Sequence, residues 1–172
     1  MKKILLVVVG VLVLVVVVVL IVGLLTPADH QASRTLRLKQ PPEAVWDAIN
    51  DHANEPSWRD DMASVTSAGE RNGKPVWQEN YKDGNTLQLM TTEARPPNRI
   101  VREIAEEGPF SGLWEIDIEP ITGGSSVKIT EIGKVSNPFF RFVSKYLIGH
   151  TYQMEKYLTS LAKKFGEQAE MQ

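Results

Sequence analysis

NPFFRFVSKYLIGHTYQMEKYLTSLAKKF, residues 137–165, is the stretch on which the fold turns. Phe139, Val143, Leu147, Met154, Leu158, Leu161 and Phe165 recur along it at helical spacing and make one broad apolar stripe. Asn137-Pro138 supplies a helix start, because proline has its φ already set and no N–H to waste in the first turn. The spacing predicts one continuous helix over 138–165. An apolar face of that length has to be buried, and the only partner of matching size that the preceding residues offer is a β-sheet.

The signs of that sheet begin near Ala63. Short alternating runs are separated by Asn72-Gly73, Asp83-Gly84, Pro96-Pro97-Asn98, Gly108-Pro109 and Gly123-Gly124, the punctuation of an antiparallel meander. Strands are predicted over 63–68, 74–81, 86–95, 99–105, 113–119 and 127–135. An earlier one, Ser33 to Gln40, sets Leu36 and Leu38 against Arg37 and Lys39 and brings the total to seven. Pro41-Pro42 ends it. Pro42 opens a short helix with Glu43 near its positive end and Val45, Ala48 and Ile49 at helical spacing. After Asn54-Glu55-Pro56 a second short helix carries Trp58 and Met62. The class is α+β.

At the other end of the chain, ILLVVVGVLVLVVVVVLIVGLL (Ile4 to Leu25) holds no charge, no polar side chain and no proline, and follows Lys2 and Lys3. As a helix it reaches roughly 33 Å against a hydrocarbon core of about 30 Å. In lipid the backbone must close its own hydrogen bonds, which overrules the poor helix propensity of valine. Thr26-Pro27-Ala28 offers small residues for a signal cleavage site, but the apolar part of a signal spans only about 7–15 residues. Residues 1–25 are therefore expected to be an uncleaved single-pass anchor, with the bilayer as partner through 4–25. Lys2 and Lys3 favour a cytoplasmic N-terminus and a domain on the non-cytoplasmic side, although Arg34, Arg37 and Lys39 pull the other way. Residues 26–32 read as a tether, 33–166 as one folded domain and 167–172 as a flexible tail.

Composition removes several functions. The chain has a net charge of −2, and both anchor-flanking lysines precede the apolar run, so the displayed part is more acidic still and lacks the basic face a nucleic-acid binder needs. There is no cysteine, and His30, His52 and His150 are scattered without an HExxH, so neither disulfide nor metal is expected. No GxSxG, Walker loop or GxGxxG occurs, and no cofactor is expected.

Four stretches resemble the START-like (SRPBCC) superfamily of polyketide cyclases, dehydrases and lipid-transfer proteins. They are PPEAVWDAINDHANEPSW (Pro41 to Trp58), GPFSGLWEIDIEP (Gly108 to Pro120), VKITEIGKVSNPFFRF (Val127 to Phe142) and the closing helix. The resemblance implies a helix-grip fold, in which a curved seven-stranded antiparallel sheet wraps the long C-terminal helix and leaves a largely apolar cavity. It further implies a lipid, sterol, polyketide or other hydrophobic ligand there, with cyclisation or dehydration in some members. The apolar N-terminal run departs from the commonest soluble forms.

Within that frame Glu131 is the most pointed candidate. Strict alternation from Val127 and Ile129 turns it inward, where a desolvated carboxylate suits acid-base work; a bulge at Ile132-Gly133 would return it to solvent. Arg141, one turn into the helix, would approach Glu131 or an acidic head group, or simply tie the helix start to a strand. His150 interrupts the apolar stripe and would face the cavity as a proton carrier or serve as a structural histidine. Trp58, Trp77, Tyr81 and Trp114 offer flat apolar lining or plain core, and Leu147 and Met154 lie on the stripe itself. A binding domain for a hydrophobic molecule is favoured over a cyclase- or dehydratase-like enzyme and over a protein-interaction domain with a filled interior.

Overall fold

The structure, a computed structural model, describes residues 1–172. Helix α1 (Lys2–Leu25) is followed by β1 (Asp29–Leu38), α2 (Pro42–Asn50) and a 3-10 helix at His52–Ser57. Strands β2 (Met62–Arg71), β3 (Lys74–Tyr81), β4 (Thr86–Arg95), β5 (Arg99–Ile104), β6 (Phe110–Ile121) and β7 (Gly124–Val135) come next. Helix α3 (Pro138–Val143), a π-wound turn at Ser144–Ile148, α4 (Tyr152–Lys164) and a two-residue β8 (Glu170–Met171) complete the chain. All strands pair antiparallel in one sheet of order β2-β3-β4-β5-β6-β7-β1-β8. Register shifts in β2 and β4 bend it, as bulges do. This is the helix-grip α+β fold. Helix α1 is long and apolar enough to cross a membrane, a test that a signal sequence near an N-terminus also passes.

The β1–β7 and β7–β6 ladders run without a slip. Period-two alternation therefore divides the inward face of these strands into two zones. Toward one end Leu36, Leu38, Ile116, Ile118, Val127 and Ile129 are buried against Met154, Leu158 and Leu161 of α4. Toward the other end the same face carries His30, Gly112, Trp114, Glu131 and Gly133. Gly112 has φ +146°, and a Cβ there would collide with the Ile132 carbonyl, so the backbone conformation and the close strand approach both demand glycine.

Four sequence expectations need correction. The short helix expected to start at Pro56 and carry Trp58 and Met62 lies earlier, at His52–Ser57, so that Trp58 follows it and Met62 opens β2. The predicted 138–165 helix is broken. Gly149 takes φ +86°, a conformation open to glycine and costly for other residues, and the turn before it is π-wound. The stripe does not run through the break: Met154, Leu158 and Leu161 are fully buried while Leu147 is 70% exposed. The expected tether is shorter than 26–32, since β1 begins at Asp29. The tail is also held, because Gln172 and Thr35 exchange backbone hydrogen bonds (2.9 and 3.0 Å) and β8 becomes an eighth strand. A two-residue strand has no periodicity to read.

Leu158→Ala should therefore cost about 2–5 kcal/mol of stability, whereas Leu147→Ala should stay within about 0.5 kcal/mol. Urea midpoints of the full chain in detergent measure both. Equal losses would mean that Leu147 is packed like Leu158 and that the helix is continuous.

Candidate functional site

A cavity of about 470 Å³ lies between the curved sheet and α4. Leu87, Leu89, Ile104, Phe110 and Ile116 make its apolar wall, and Gln153 and Tyr157 face it from α4. Two polar clusters complete the lining.

The first centres on Glu131. With no bulge in β7, alternation carries the carboxylate inward, and both its oxygens are used. Trp114 Nε1 donates to Oε2 at 2.7 Å and His30 Nε2 donates to Oε1 at 2.7 Å. Gly133, directly opposite His30 in the ladder, leaves the space that the imidazole fills; a Cβ there would sit 2.5 Å from the ring. His150 stacks on His30 at 3.9 Å between centroids. Burial, the adjacent His30 and Lys145 hold His150 below the ordinary histidine value, against the opposing pull of Glu131.

The second cluster lies near the 3-10 helix. Arg59 Nη1 donates to Glu79 Oε1 at 2.8 Å and to Glu55 Oε2 at 2.9 Å, and Tyr81 donates to Glu79 at 2.5 Å. His52 donates to Glu55 at 2.7 Å, and Arg102 donates to the Ile49 carbonyl at 2.8 Å with Glu55 3.8 Å away. All four charges are buried: Glu55 and Glu79, Arg59 and Arg102. Burial pushes the Glu55 carboxyl up, but the His52 hydrogen bond and the two guanidiniums outweigh it and keep the group below the usual carboxylate value. Burial and the Glu79 carboxylate hold the Tyr81 hydroxyl protonated, and burial does the same for Tyr157.

Of the residues singled out in the sequence, Tyr81, Trp114 and Glu131 line the cavity. His150 backs it through His30. Trp58 and Met154 are buried in the main core, and Trp77 packs on His52 at 4.2 Å. Leu147 points to the exterior. Arg141 does not meet Glu131; its guanidinium donates to the carbonyls of Val135 (2.7 Å), Ser136 (3.0 Å) and Thr26 (3.5 Å), tying the start of α3 to β7 and to the end of α1. Sequence reading missed His30, Arg59, Glu79, Arg102 and Tyr157. Glu79 left a trace, sharing the inward side of β3 with Tyr81 at period two.

Comparison with known proteins settles the family. The family model for polyketide cyclase / dehydrase and lipid transport matches residues 29–166. The chain belongs to this family. No curated protein matches it at the level of sequence. Among solved structures, a conserved protein from Geobacillus kaustophilus superposes with TM-score 0.66 at 15% identity, covering 83% of this chain and 99% of that one. Major latex-like protein 151 from Panax ginseng gives 0.62 at 12% identity, covering 80% and 95%. The di-domain ARO/CYC protein BexL from the BE-7585A biosynthetic pathway gives 0.57 at 17% identity, covering 81% of this chain but 47% of its own length. The chain thus spans about half of that di-domain protein. At these identities the likeness is one of fold.

Two measurements probe the site. In double-mutant cycles Glu131→Gln should couple to His30→Gln by more than about 0.5 kcal/mol and should add to Arg141→Ala within about that margin; the reverse pattern would contradict the geometry. The depressed His150 sets a sign for pH. Between the ordinary value of 6.5 and the lower value in the fold, the unfolded chain binds a proton that the folded chain refuses. Stability present above that window is lost as pH falls through it. Urea midpoints from about pH 7.5 to about pH 5.5 should fall more steeply for the parent chain than for His150→Gln, and identical slopes would remove His150 from the titration.

Proposed function

We propose that this chain is a membrane-tethered binding domain for a small, mainly apolar molecule that carries oxygen, held between the sheet and α4. One observation carries the reading. The cavity between sheet and α4 sets an apolar wall of Leu87, Leu89, Ile104 and Ile116 against a few polar side chains, Gln153, Arg59 and Tyr81 among them. A polar group covered by apolar matter without a partner costs free energy. A ligand with a carbonyl or hydroxyl group among apolar carbons matches such a lining while covering the leucine wall. The volume fits, since small-molecule pockets run from about 300 to about 1,000 Å³. It suits a single chain or a fused-ring molecule better than a two-chain phospholipid. An apolar portion of about ten methylenes gains about 8 kcal/mol on leaving water, before association costs. The family's printed description, which joins cyclases and dehydrases to lipid transport, supports the same ligand class.

The tether in this proposal is α1, kept on the mature chain, with Lys2 and Lys3 on the cytoplasmic side and residues 29–172 displayed on the other. A second reading, catalysis on a hydrophobic substrate, has one observation in its favour: the His30–Glu131 pair on the cavity wall is an imidazole and a carboxylate in direct contact.

The test is to extract full-length chain with detergent from carbonate-washed membranes and identify its bound small molecules by mass spectrometry. An oxygen-bearing apolar molecule should be present, and Leu89→Trp, which fills part of the cavity, should lower its affinity at least about tenfold, or about 1.4 kcal/mol, in a folded variant. Unchanged affinity places the ligand elsewhere. Recovery of the molecule chemically unaltered after incubation supports holding, whereas turnover lost in Glu131→Gln supports the enzyme.

A further inference from the structure

We propose that residues 138–148 are a second membrane contact, an interfacial segment seated in the bilayer surface beside the end of α1, so that the rim of the cavity opens onto lipid. The inference rests on reading α1 as a membrane span and deepens the proposed function by naming where the ligand enters.

Its first support is the packing of α1. Nearly the whole helix is exposed, but Val19, Val22, Gly23 and Thr26, spaced three, one and three apart, form a covered stripe. The stripe lies against α3. Gly23 is buried there because a Cβ would overlap the Pro138 carbonyl, and Arg141 donates to the Thr26 carbonyl at 3.5 Å. This contact fixes depth. From Val19 to Leu25 the helix rises about 9 Å, whereas the headgroup zone adds only about 5–8 Å on each side of the hydrocarbon. A segment packed along those residues therefore sits at the boundary between hydrocarbon and headgroups.

Its second support is what this segment presents outward. Phe139, Tyr146, Leu147 and Ile148 are 49, 52, 70 and 54% exposed, and Tyr152 follows at 50%. Such a run of large apolar side chains is unlike a water-facing surface. Arg141 and Lys145 are interspersed, with the Lys145 ammonium 5.4 Å from the Tyr146 ring centroid. Aromatic, aliphatic and basic residues together on a short segment are what the interfacial zone favours. The third support is continuity with the cavity. Phe140 packs on Phe110 at 5.3 Å, Phe110 lines the cavity and is itself 42% exposed, and Arg141 is bonded to the carbonyl of the lining residue Val135.

The chain has no cysteine, so single-cysteine variants take one fluorophore each. Full-length chain labelled at Leu147→Cys, at Tyr146→Cys, at Val13→Cys in the middle of α1 and at Lys74→Cys on the far β2–β3 turn is reconstituted into phosphatidylcholine vesicles. The two probes at 146 and 147 should show a several-fold loss of quenching by aqueous iodide relative to the probe at 74, and should be quenched by nitroxide placed near the headgroup. Iodide quenching at 146 and 147 equal to that at 74, with the probe at 13 protected, would overturn the second contact and leave the anchor standing. Iodide access at 13 as well would overturn both. Protection at 146 and 147 without nitroxide quenching would overturn it in favour of a protein occupant such as a second copy.

Discussion

The ladder from β1 through β7 to β6 is the constraint from which the interior follows. Side chains alternate strictly along it, so a slip of one residue would send Leu36, Val127 and Ile116 to the outer face and turn Glu131 away from the cavity. In the register observed, the aliphatic zone anchors α4 and the zone holding two facing glycines is left hollow. Gly112 and Gly133 remove side chains from the ladder at adjoining positions, and His30 takes up part of the space beside Glu131. Core and cavity are two ends of one inward surface.

The hollow is kept from closing by charge. Glu55, Arg59, Glu79 and Arg102 are opposite in sign two by two and share hydrogen bonds with His52, Tyr81 and the Ile49 carbonyl. Taking such groups out of water is costly, and removing one partner leaves the others uncompensated. A collapse that filled the space with leucine would have to break these bonds. The arrangement also explains why the polar part of the lining is stiff: each guanidinium is fixed by at least one carboxylate or carbonyl oxygen.

Much of this was legible in the residues and some was not. The meander could be read because its turns carry glycine, proline and asparagine at the ends of alternating runs; for Glu131 the same alternation offered an inward place with a bulge at Ile132-Gly133 as the alternative, and the β6–β7 ladder runs without that bulge. The helix over 138–165 was read as one piece because its stripe has the right period on both sides of Gly149; a single glycine with His150 and Thr151 behind it is a weak signal until its φ is known. Arg141 was read either as a partner of Glu131 or as a tie from the helix start to a strand; it makes the tie, through the carbonyls of Val135, Ser136 and Thr26, and carbonyl geometry has no sequence signature that would have chosen between the two. The buried quartet draws on the 3-10 helix, β3 and β5, so its members come together only in three dimensions. His30 was missed for a simpler reason: polar TPADHQA reads as a linker, and its second half is strand.

The shortness of the connection between α1 and β1 also has a mechanical side. Only Thr26, Pro27 and Ala28 separate the two, and β1 is paired with β7 along its whole length, with β8 beside it only at Leu36 and Arg37. A pull on α1 along the strand direction would load the β1–β7 hydrogen bonds in shear, all together, instead of peeling them one at a time. Force reaching the domain through its N-terminus would meet the fold at one of its most resistant points, and the cavity half of the ladder, which begins at His30, would carry that force first.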